Sequence, residues 1–365
     1  MLVGGRGTRL QPLTATIPKQ MLPVAEVPMI DRVLGHLAAH GVTEAVLSLG
    51  YRPDGFLRLY PEHRAGPVAL TYAVEPTPLD TAGAIRFAAL AAGYDDTFLV
   101  ANGDVLTDLD VAALLDLHRR RGAEATIHLV TVADPSRFGL VQVGAEGRVA
   151  AFVEKPTGPV AARPPDPLNT VNAGTYVLEP TVLERIAGDR RVSVEREVFP
   201  AMVAAGTLYA HVEDAYWIDT GTPEQYIRAQ LDLLDDRTRP GVAEATGTGA
   251  AVRGPDGVWR HPDARADGEL VGATLVGQGA VVEAGARVER AVVGARCRVR
   301  RGARVERSVL LPGVEVGPRA VVEDSVLGPG AVVDPDARVG ELTVVAEGAR
   351  VGAGTSLAGA RVAAG

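Results

Sequence analysis

The chain has 365 residues and a formal net charge of −8, and 47% of its residues are apolar. That apolar share can bury a substantial core, and the negative charge disfavours a protein that binds nucleic acid by neutralising phosphates. No apolar run approaches the ~18 residues of a membrane span, and the N-terminus lacks the apolar segment of a signal peptide. Cys297 is the single cysteine, so the 365 residues contain no intrachain disulfide and no cysteine metal cluster. We therefore expect a cytoplasmic protein without a membrane or nucleic-acid partner.

Strand-like and helix-like segments alternate in residues 1–234. The strand-like segments include residues 42–50, 95–104 and 125–133, and the helix-like ones include residues 29–41 and 111–123. This alternation predicts an α/β domain with a Rossmann-like, mostly parallel sheet. In such sheets, ligands bind where the strands end at their carboxyl termini.

The C-terminal hundred residues repeat with a period of seventeen, in copies that start at residues 273, 290, 307 and 324. Steps of six, six and five residues separate large apolar side chains within each copy. Three columns of Val or Leu result: Val276, Val293, Leu310 and Leu327; Val282, Val299, Val316 and Val333; Val288, Val305, Val322 and Val339. A six-residue step matches neither a helix nor a simple alternating strand, so it predicts short strands joined by tight turns.

Three such hexads form one triangular coil, and each coil covers the core of its neighbour. We therefore predict a parallel β-helix of hexapeptide repeats over residues 269–365, after a linker and first cap over residues 235–268. The last copy, from Glu341, has one extra residue and becomes three full hexads, with Val345, Val351 and Leu357 inside. The pattern resembles the left-handed β-helix family, and the left-handedness rests on that resemblance.

A glycine-rich segment, GGRGTRLQPLTATIPKQMLPV, begins at Gly4 and follows the apolar residues Met1–Val3. Glycines at the end of a strand let backbone amides approach an anion closely, and Arg9 and Lys19 add positive charge. The segment lacks the ending of a Walker A loop and the third glycine of the Rossmann fingerprint. By itself it is equally consistent with a tight turn.

With its P-K-x-x-L-P continuation, this segment closely resembles the signature of the sugar-1-phosphate nucleotidylyltransferase family. Further segments resemble the family's motifs in the same order along the chain: Glu75–Ile85, Ala101–Asp104, Phe138–Gly139, Val153–Pro156, Asn172–Gly174, Val194–Pro200 and Trp217–Gly221. The family joins a nucleoside triphosphate to a sugar 1-phosphate and releases pyrophosphate. The attacking group is already a phosphate anion, so no general base is needed, and positioning and electrostatics supply most of the catalysis.

The resemblance implies a role for each matching residue. It implies that Asp104 and Asp219 hold Mg²⁺, and that Arg9 and Lys19 act on the phosphates as catalytic residues. The implied nucleotide-binding residues are Gly4, Gly5, Gly7, Thr8, Glu75, Ala82 and Gly83. The implied sugar-phosphate-binding residues are Gly139, Glu154, Lys155 and Asn172.

Each of these residues also has a purely structural interpretation. Asp104 is compatible with a helix N-cap, and Asp219 with a capped turn before Gly221. Glu154 and Lys155 are compatible with a solvated ion pair, and Asn172 with a turn residue. Only their shared order along the chain favours the functional interpretation.

Within the family, the segments resemble the mannose-1-phosphate guanylyltransferase branch, which implies GTP and mannose 1-phosphate as substrates. Asp80 stands where the family commonly has glycine, so a glucose-1-phosphate thymidylyl- or uridylyltransferase remains an alternative. A non-catalytic relative that binds nucleotide sugar is another. An acyltransferase β-helix would typically use a histidine, and residues 266–365 contain none. We expect the β-helix to organise a homo-oligomer.

The first strand is short in this sequence. Relatives usually carry several more residues before the glycine-rich loop, whereas Met1–Val3 form at most half a strand. We expect this strand to lie centrally in the parallel sheet, where lost pairing is costly. We also expect that the natural start lies upstream, or that this chain is less stable than an extended one.

Overall fold

The computed structural model describes residues 1–5, 7–50, 53–135, 138–153, 169–238 and 250–365. They group into two compact units. The first comprises Met1–Gly5 and Leu37–Trp217, and the second comprises Arg6–His36 and Ile218–Gly365. Residues 6–36 are thus in the same compact unit as the β-helix. The glycine-rich segment is therefore divided between the two units.

Thirteen strands and six α-helices precede the β-helix within the described ranges. The strands are β1 (Pro23–Val24), β2 (Val27–Pro28), β3 (Glu44–Leu49), β4 (Arg64–Ala65), β5 (Val68–Val74), β6 (Phe98–Ala101), β7 (Val105–Thr107), β8 (Ala125–Thr131), β9 (Leu140–Val143), β10 (Val149–Val153), β11 (Thr170–Leu178), β12 (Leu208–Val212) and β13 (Trp217–Asp219). The helices are α1 (Met29–Ala39), α2 (Pro53–Leu59), α3 (Asp80–Ala92), α4 (Val111–Arg121), α5 (Phe199–Ala205) and α6 (Pro223–Leu234).

The first unit is built on a mostly parallel sheet, as the sequence predicts. Strand β3 pairs in parallel with β5, and β8 pairs in parallel with β12. Leu2 forms parallel bridges to Ser48 of β3 and to Asn102 after β6, so the chain start lies between these strands. Strand β11 is antiparallel to both β6 and β8. The predicted central position of the first strand is thus observed.

The core of this unit follows from strands that are apolar on both faces. Strand β8, with the sequence ATIHLVT, is buried along six of its seven residues, as expected for an internal strand of such a sheet. Tyr176 of β11 packs edge-on against Phe199 at the start of α5, with ring centroids 5.1 Å apart. No helix in the described ranges is both long enough and apolar enough to cross a membrane.

A cavity lies beside the chain start. The Met1 amine donates to the Val46 carbonyl oxygen at 2.7 Å, and burial lowers the pKa of this amine to about 5. A cavity of about 510 Å³ lies beside Met1, and its lining includes Glu44 of β3 and Phe98 of β6. The chain start, which lies between β3 and β6, therefore bonds to β3 as far as Met1 itself.

Adding four apolar, β-branched residues before Met1 is expected to raise the melting temperature by several degrees. The added strand would fill the cavity and pair with β3 and β6, and it would remove the buried amine. The folded-state amine is neutral between pH 5 and 8 while the unfolded-state amine is protonated. The free energy of unfolding of the 365-residue chain should therefore fall as the pH drops from 8 to 5. The extended chain should not show this pH dependence, because its amine is no longer at Met1.

Thermal unfolding of both chains across this pH range provides the measurement. A Gly-Ser extension of equal length is the control, because it displaces the amine without supplying apolar contacts. An equal or lower melting temperature for the apolar extension would contradict the prediction.

The second unit contains a parallel β-solenoid of about six turns. It is preceded by β14 (Val252–Arg253), which is antiparallel to β15. The solenoid strands are β15 (Trp259–Arg260), β16 (Arg265–Ala266), β17 (Glu269–Val271), β18 (Leu275–Val276), β19 (Val281–Val282), β20 (Arg287–Glu289), β21 (Val292–Val293), β22 (Arg298–Val299), β23 (Arg304–Glu306), β24 (Val309–Leu310), β25 (Glu315–Val316), β26 (Val321–Glu323), β27 (Val326–Leu327), β28 (Val332–Val333), β29 (Arg338–Gly340), β30 (Val344–Val345), β31 (Arg350–Val351), β32 (Ser356–Ala358) and β33 (Arg361–Val362).

The predicted columns form the solenoid core. Val276 pairs with Val293 and Leu310 pairs with Leu327, each seventeen residues apart, and all four are fully buried. Leu327 then pairs with Val345, eighteen residues on, as the extra residue of the last copy predicts. The first coil starts upstream of residue 269, because β15 and β16 pair in parallel with β18 and β19. Residues 259–268, assigned to the linker and first cap, thus extend the solenoid.

The three faces of the solenoid differ on their outer sides. On one face the residues beside the core column are themselves apolar and buried: Leu275, Val292, Val309, Val326 and Val344. The other faces carry ion pairs between successive coils, such as Arg300 with Glu283 at 2.9 Å and Arg319 with Asp336 at 2.6 Å. Such exposed pairs contribute little individually, so the stability of the solenoid comes from its apolar columns.

Val299→Asp is expected to disrupt the coils, because it places a charge in a fully buried column between Val282 and Val316. We expect the free energy of unfolding to fall by at least about 3 kcal/mol. Arg298→Asp is the matched control, because it places the same charge one residue away on the exposed side. Circular dichroism melts report stability, and light scattering reports aggregation or a smaller assembly. Equal melting temperatures for the two variants would contradict this assignment.

Candidate functional site

The glycine-rich loop of the second unit turns sharply at Gly7. Gly7 has φ 59° and ψ 35° and precedes a 3₁₀ turn over Thr8–Leu10. Its carbonyl oxygen accepts a hydrogen bond from the Thr14 hydroxyl at 2.8 Å. A Cβ at this position would lie 2.9 Å from Thr14 Cγ2 and 3.2 Å from Lys19 Cβ. Glycine is therefore required both by the left-handed backbone and by the close packing of the loop on Lys19.

Lys19 and Asp219, 200 residues apart in sequence, form an ion pair in the second unit. Lys19 begins a 3₁₀ turn, and its Nζ lies 3.1 Å from Asp219 Oδ1. The Lys19 side chain is only 5% exposed, and that of Asp219 is 20% exposed. Arg9, which is largely exposed, approaches the other carboxylate oxygen at 3.7 Å. Lys19 and Arg9, which the family resemblance implies bind phosphate, thus both contact Asp219, which it implies binds the metal.

Gly221 allows this close arrangement. A Cβ at Gly221 would lie 2.4 Å from Arg9 Nη2 and 3.0 Å from Asp219 Oδ1. The chain then enters helix α6, whose N-cap Thr222 accepts from the Gln225 amide at 3.2 Å. The helix cap is therefore Thr222, and the Asp219 carboxylate faces the two cations.

Glu75 lies next to Gly4 in the first unit. Its carboxylate accepts from the Ser48 hydroxyl at 3.2 Å and from the Leu79 amide at 3.0 Å. A Cβ at Gly4 would lie 3.3 Å from the Gly50 nitrogen and 3.7 Å from Glu75 Oε1. Gly4 and Gly5 are themselves exposed. The structure thus brings Gly4 and Glu75 together, with Glu75 closing the loop that leads into α3.

The start of helix α3 is held by backbone contacts. The Ala82 and Gly83 amides donate to the Val192 carbonyl oxygen at 2.9 and 3.2 Å, and both residues are buried. Asp80 has a left-handed φ of 64°, which explains why glycine suits this position. Aspartate tolerates this conformation better than most residues. Any contact of Ala82 or Gly83 with a nucleotide would use atoms other than these two amides.

A further carboxylate, Glu195, supports the same loop, although the sequence alone gives it no individual role. Glu195 Oε2 accepts from the Thr81 hydroxyl at 2.8 Å and from the Ser193 hydroxyl at 2.9 Å. Thr81 in turn accepts from the Val194 amide at 2.8 Å. Glu195 belongs to the recognised VEREVFP segment, so the motif was the available signal for this role.

Asn172, Ala173 and Gly174 form an irregular stretch of β11, where the register to β8 shifts. Asn172 Oδ1 accepts from the Gly174 amide at 3.1 Å, and the Asn172 backbone amide donates to the Gly139 carbonyl oxygen at 3.2 Å. Gly174 has φ 80°, and a Cβ there would lie 2.4 Å from Asn102 Nδ2. The sequence-predicted Gly139 and Asn172 therefore lie together in the first unit, next to the loop that follows β6.

Asp104 is half-buried in that loop, two residues after Asn102. It belongs to the first unit, whereas Asp219 belongs to the second. Carboxylate oxygens are the donors that hard divalent cations prefer, so both residues suit a Mg²⁺-type ion. Within the described ranges, no group of three or more His, Cys, Asp or Glu side chains could hold a metal. Glu154 and Lys155 lie outside the described residues.

Residues 1–236 match the family model described as nucleotidyl transferase. The chain belongs to the nucleotidyl transferase family. Residues 270–364 of this nucleotidyl transferase match a second model, described as the GMPPB C-terminal domain. The chain is therefore a nucleotidyltransferase enzyme with a C-terminal β-solenoid, as the motif order and the seventeen-residue repeat predict. Nucleotidyltransferases of this family generally use a divalent metal.

This nucleotidyl transferase resembles mannose-1-phosphate guanylyltransferases from distant organisms. It is 42% identical over 299 residues to that of Mycobacterium tuberculosis, covering 80% of this chain and 78% of the relative. It is 39% identical over 272 residues to the Hypocrea jecorina mannose-1-phosphate guanyltransferase, covering 73% and 72%. Among solved structures, HddC from Yersinia pseudotuberculosis complexed with GMP-PN matches with a TM-score of 0.53 at 30% identity. That match covers 63% of this chain and 96% of HddC.

Proposed function

We propose that this nucleotidyl transferase converts GTP and mannose 1-phosphate to GDP-mannose and pyrophosphate. A phosphate oxygen of mannose 1-phosphate attacks the α-phosphorus of GTP. The new phosphorus–oxygen bond forms as the bond from the α-phosphorus to the oxygen bridging to the β-phosphate breaks. Pyrophosphate leaves with that oxygen and its electron pair, and no proton is transferred to or from the nucleophile.

The observation that carries this proposal is the Lys19–Asp219 pair beside the Gly7 turn. A nearly buried ammonium offers strong electrostatic stabilisation to charge that develops at the α-phosphate. Asp219 holds Lys19 in place, and the exposed Arg9 is available to the triphosphate and the leaving pyrophosphate. We assign the backbone amides of the exposed Gly4, Gly5 and Thr8 to the same triphosphate.

We propose Mg²⁺ as the divalent metal, held by Asp104 and Asp219. When bound, Mg²⁺ would screen the repulsion between the two anionic substrates and stabilise charge on the transferring phosphate. Asp219 would then bind the ion in addition to its contacts with Lys19 at 3.1 Å and Arg9 at 3.7 Å.

Glu75 supports guanine as the base. Two oxygens of a carboxylate offer about four acceptor sites, and the Ser48 and Leu79 contacts use only two of them. Guanine carries an amino donor that thymine and uracil lack, and a carboxylate suits that donor. For the sugar phosphate we propose Gly139 and Asn172 together with Glu154 and Lys155, whose roles rest on the family resemblance.

Pyrophosphate release, measured with four nucleoside triphosphates against mannose 1-phosphate and glucose 1-phosphate, tests the proposal. We expect kcat/KM for GTP with mannose 1-phosphate to exceed every other combination by at least about tenfold. A preference for dTTP or UTP with glucose 1-phosphate would support the thymidylyl- or uridylyltransferase alternative. The absence of turnover with every pair would instead support a non-catalytic relative.

We also propose that the β-solenoid organises a homo-oligomer. At its last coil, Leu357 and Val362 pack against the core but are only partly buried, so the end of the core needs a cover. Light scattering of the wild-type chain gives its mass in solution. A monomeric mass over the micromolar range would contradict this proposal and would leave the transferase assignment unaffected.

A further inference from the structure

The hairpin formed by β1 and β2 begins four residues after Lys19. Its two turn residues, Ala25 and Glu26, both have left-handed backbones, with φ of 45° and 67°. Paired left-handed residues define the tight hairpin turn that glycine and asparagine normally favour. A two-residue turn of this type projects its side chains outward, so the Glu26 carboxylate can reach another element of the same unit.

The Glu26 carboxylate reaches the solenoid. A Cβ built on Gly277 would overlap Glu26 Oε1 at 2.0 Å, so the carboxylate fills the space that glycine leaves. The carboxylate accepts hydrogen bonds from the Gln278 and Ala295 amides and interacts electrostatically with His261. Burial raises the pKa of Glu26, so the contact is desolvated. Glu26 is therefore seated between two coils.

The other side of the hairpin is fixed by helix α6. Gln230 accepts from the Ala25 amide at 2.6 Å and donates to the Pro23 carbonyl oxygen at 2.9 Å. The buried Arg32 donates to the Val24 carbonyl oxygen at 2.8 Å. Helix α6 starts four residues after Asp219. The hairpin follows Lys19 in the chain and helix α6 follows Asp219. These two elements are hydrogen-bonded to each other through Gln230.

Helix α6 is itself bonded to the solenoid at its C-terminal end. The Trp259 indole nitrogen of the first coil donates to the Leu234 carbonyl oxygen at 3.4 Å. Arg290 pairs with Asp235 at 2.7 Å. The solenoid therefore contacts the hairpin after Lys19 through Glu26. It contacts helix α6, which follows Asp219, through Trp259 and Arg290.

From this arrangement we propose that Glu26 is a positioning residue through which the β-solenoid sets the geometry of the Lys19–Asp219 pair. The inference rests on the proposed function for its catalytic consequence, but the coupling itself is a property of the second unit. Removal of the carboxylate should detach the hairpin from the solenoid, loosen Lys19 from Asp219 and lower kcat more than substrate binding.

The chain contains only two lysines, Lys19 and Lys155, which gives a direct probe of this coupling. The rate at which an amine reagent modifies each lysine, followed by peptide mass spectrometry, reports the accessibility of Lys19 without any need for turnover. We expect Glu26→Gly to raise the modification rate of Lys19 about tenfold, and to leave that of Lys155 unchanged. Glycine suits the left-handed backbone at residue 26, so this variant should fold.

Two further variants separate positioning from general stability. Glu26→Gln keeps an oxygen acceptor and should retain most of the Lys19 protection. Glu283→Gly is the matched control, because Glu283 also accepts a solenoid amide, from Arg301 at 2.9 Å, and an Arg300 contact. Glu283→Gly should lower stability without changing Lys19 modification, because Arg300 and Arg301 both belong to the solenoid.

Steady-state kinetics complete the test. Glu26→Gly should lower kcat about tenfold with both KM values within about threefold of wild type. Unchanged Lys19 modification in Glu26→Gly, or an equal increase in Glu283→Gly, would overturn the inference, as would a wild-type kcat. If Lys19 becomes accessible but the wild-type chain turns over no substrate pair, the coupling stands and the proposed function fails.

Discussion

Asp219→Asn is expected to lower kcat by about 10²-fold or more while leaving the fold intact. The substitution keeps the size of the side chain but removes the charge that balances Lys19 at 3.1 Å and Arg9 at 3.7 Å. It also removes the negative charge that we assign to the metal. Because Asp219 is partly exposed and lies outside the apolar core, the melting temperature should change by only a few degrees.

Asp104→Asn should cause a loss of similar size, because the proposal gives both carboxylates the same metal. Asp336→Asn provides the control, since Asp336 also pairs with an arginine, Arg319, but lies on the solenoid. Its kcat should match that of the wild type. Steady-state rates with Mg²⁺ decide the matter: near-normal turnover by Asp219→Asn or Asp104→Asn removes that residue from the metal site.

Lys19→Arg is expected to lower kcat/KM by about 10²-fold, although the charge is retained. The Lys19 side chain is 5% exposed, and its Cβ would lie 3.2 Å from a Cβ built on Gly7, so it is closely packed. A planar guanidinium is larger than an ammonium and directs its donors differently, so it cannot occupy the same place beside Asp219. The phosphates would then meet a displaced positive charge.

Lys155→Arg serves as the comparison within the same chain. Of the 37 basic residues, only Lys19 and Lys155 are lysines, and both fall in segments assigned to phosphate. We expect Lys155→Arg to raise the KM for the sugar phosphate more than the KM for the triphosphate. If both variants retain activity within about threefold of the wild type, the two lysines have no special role. In Lys19→Arg, an amine reagent should no longer modify residue 19, which confirms the substitution independently.

The seventeen-residue repeat was sufficient to predict the solenoid in detail. Each hexad places one large side chain inside, so the core column can be read from local spacing alone. The extra residue of the last copy likewise predicted the eighteen-residue pairing of Leu327 with Val345. The start of the first coil at Trp259 was not predicted, because the spacing of the strands changes there: Arg260 pairs with Val276, sixteen residues on.

The order of motifs predicted which residue types belong to the candidate site. It gave Gly4 and Glu75, which lie in two separate motifs, the same nucleotide-binding role, and the structure brings these residues together. It gave no role to Glu195, whose contacts with Thr81 and Ser193 depend on the folded loop. Motif order identifies members of a site, but it carries no information about which side chains form hydrogen bonds or ion pairs with one another.

The sequence by itself determined the α/β class, the repeating β-helix and the family, because periodicity and motif order are properties of neighbouring residues. Only the tertiary structure decided that Lys19 is buried against Asp219, and that the turn at Glu26 enters the solenoid beside Gly277. These contacts join segments about two hundred or more residues apart. Such pairings depend on how packed elements satisfy charge and volume together, and no local pattern specifies them.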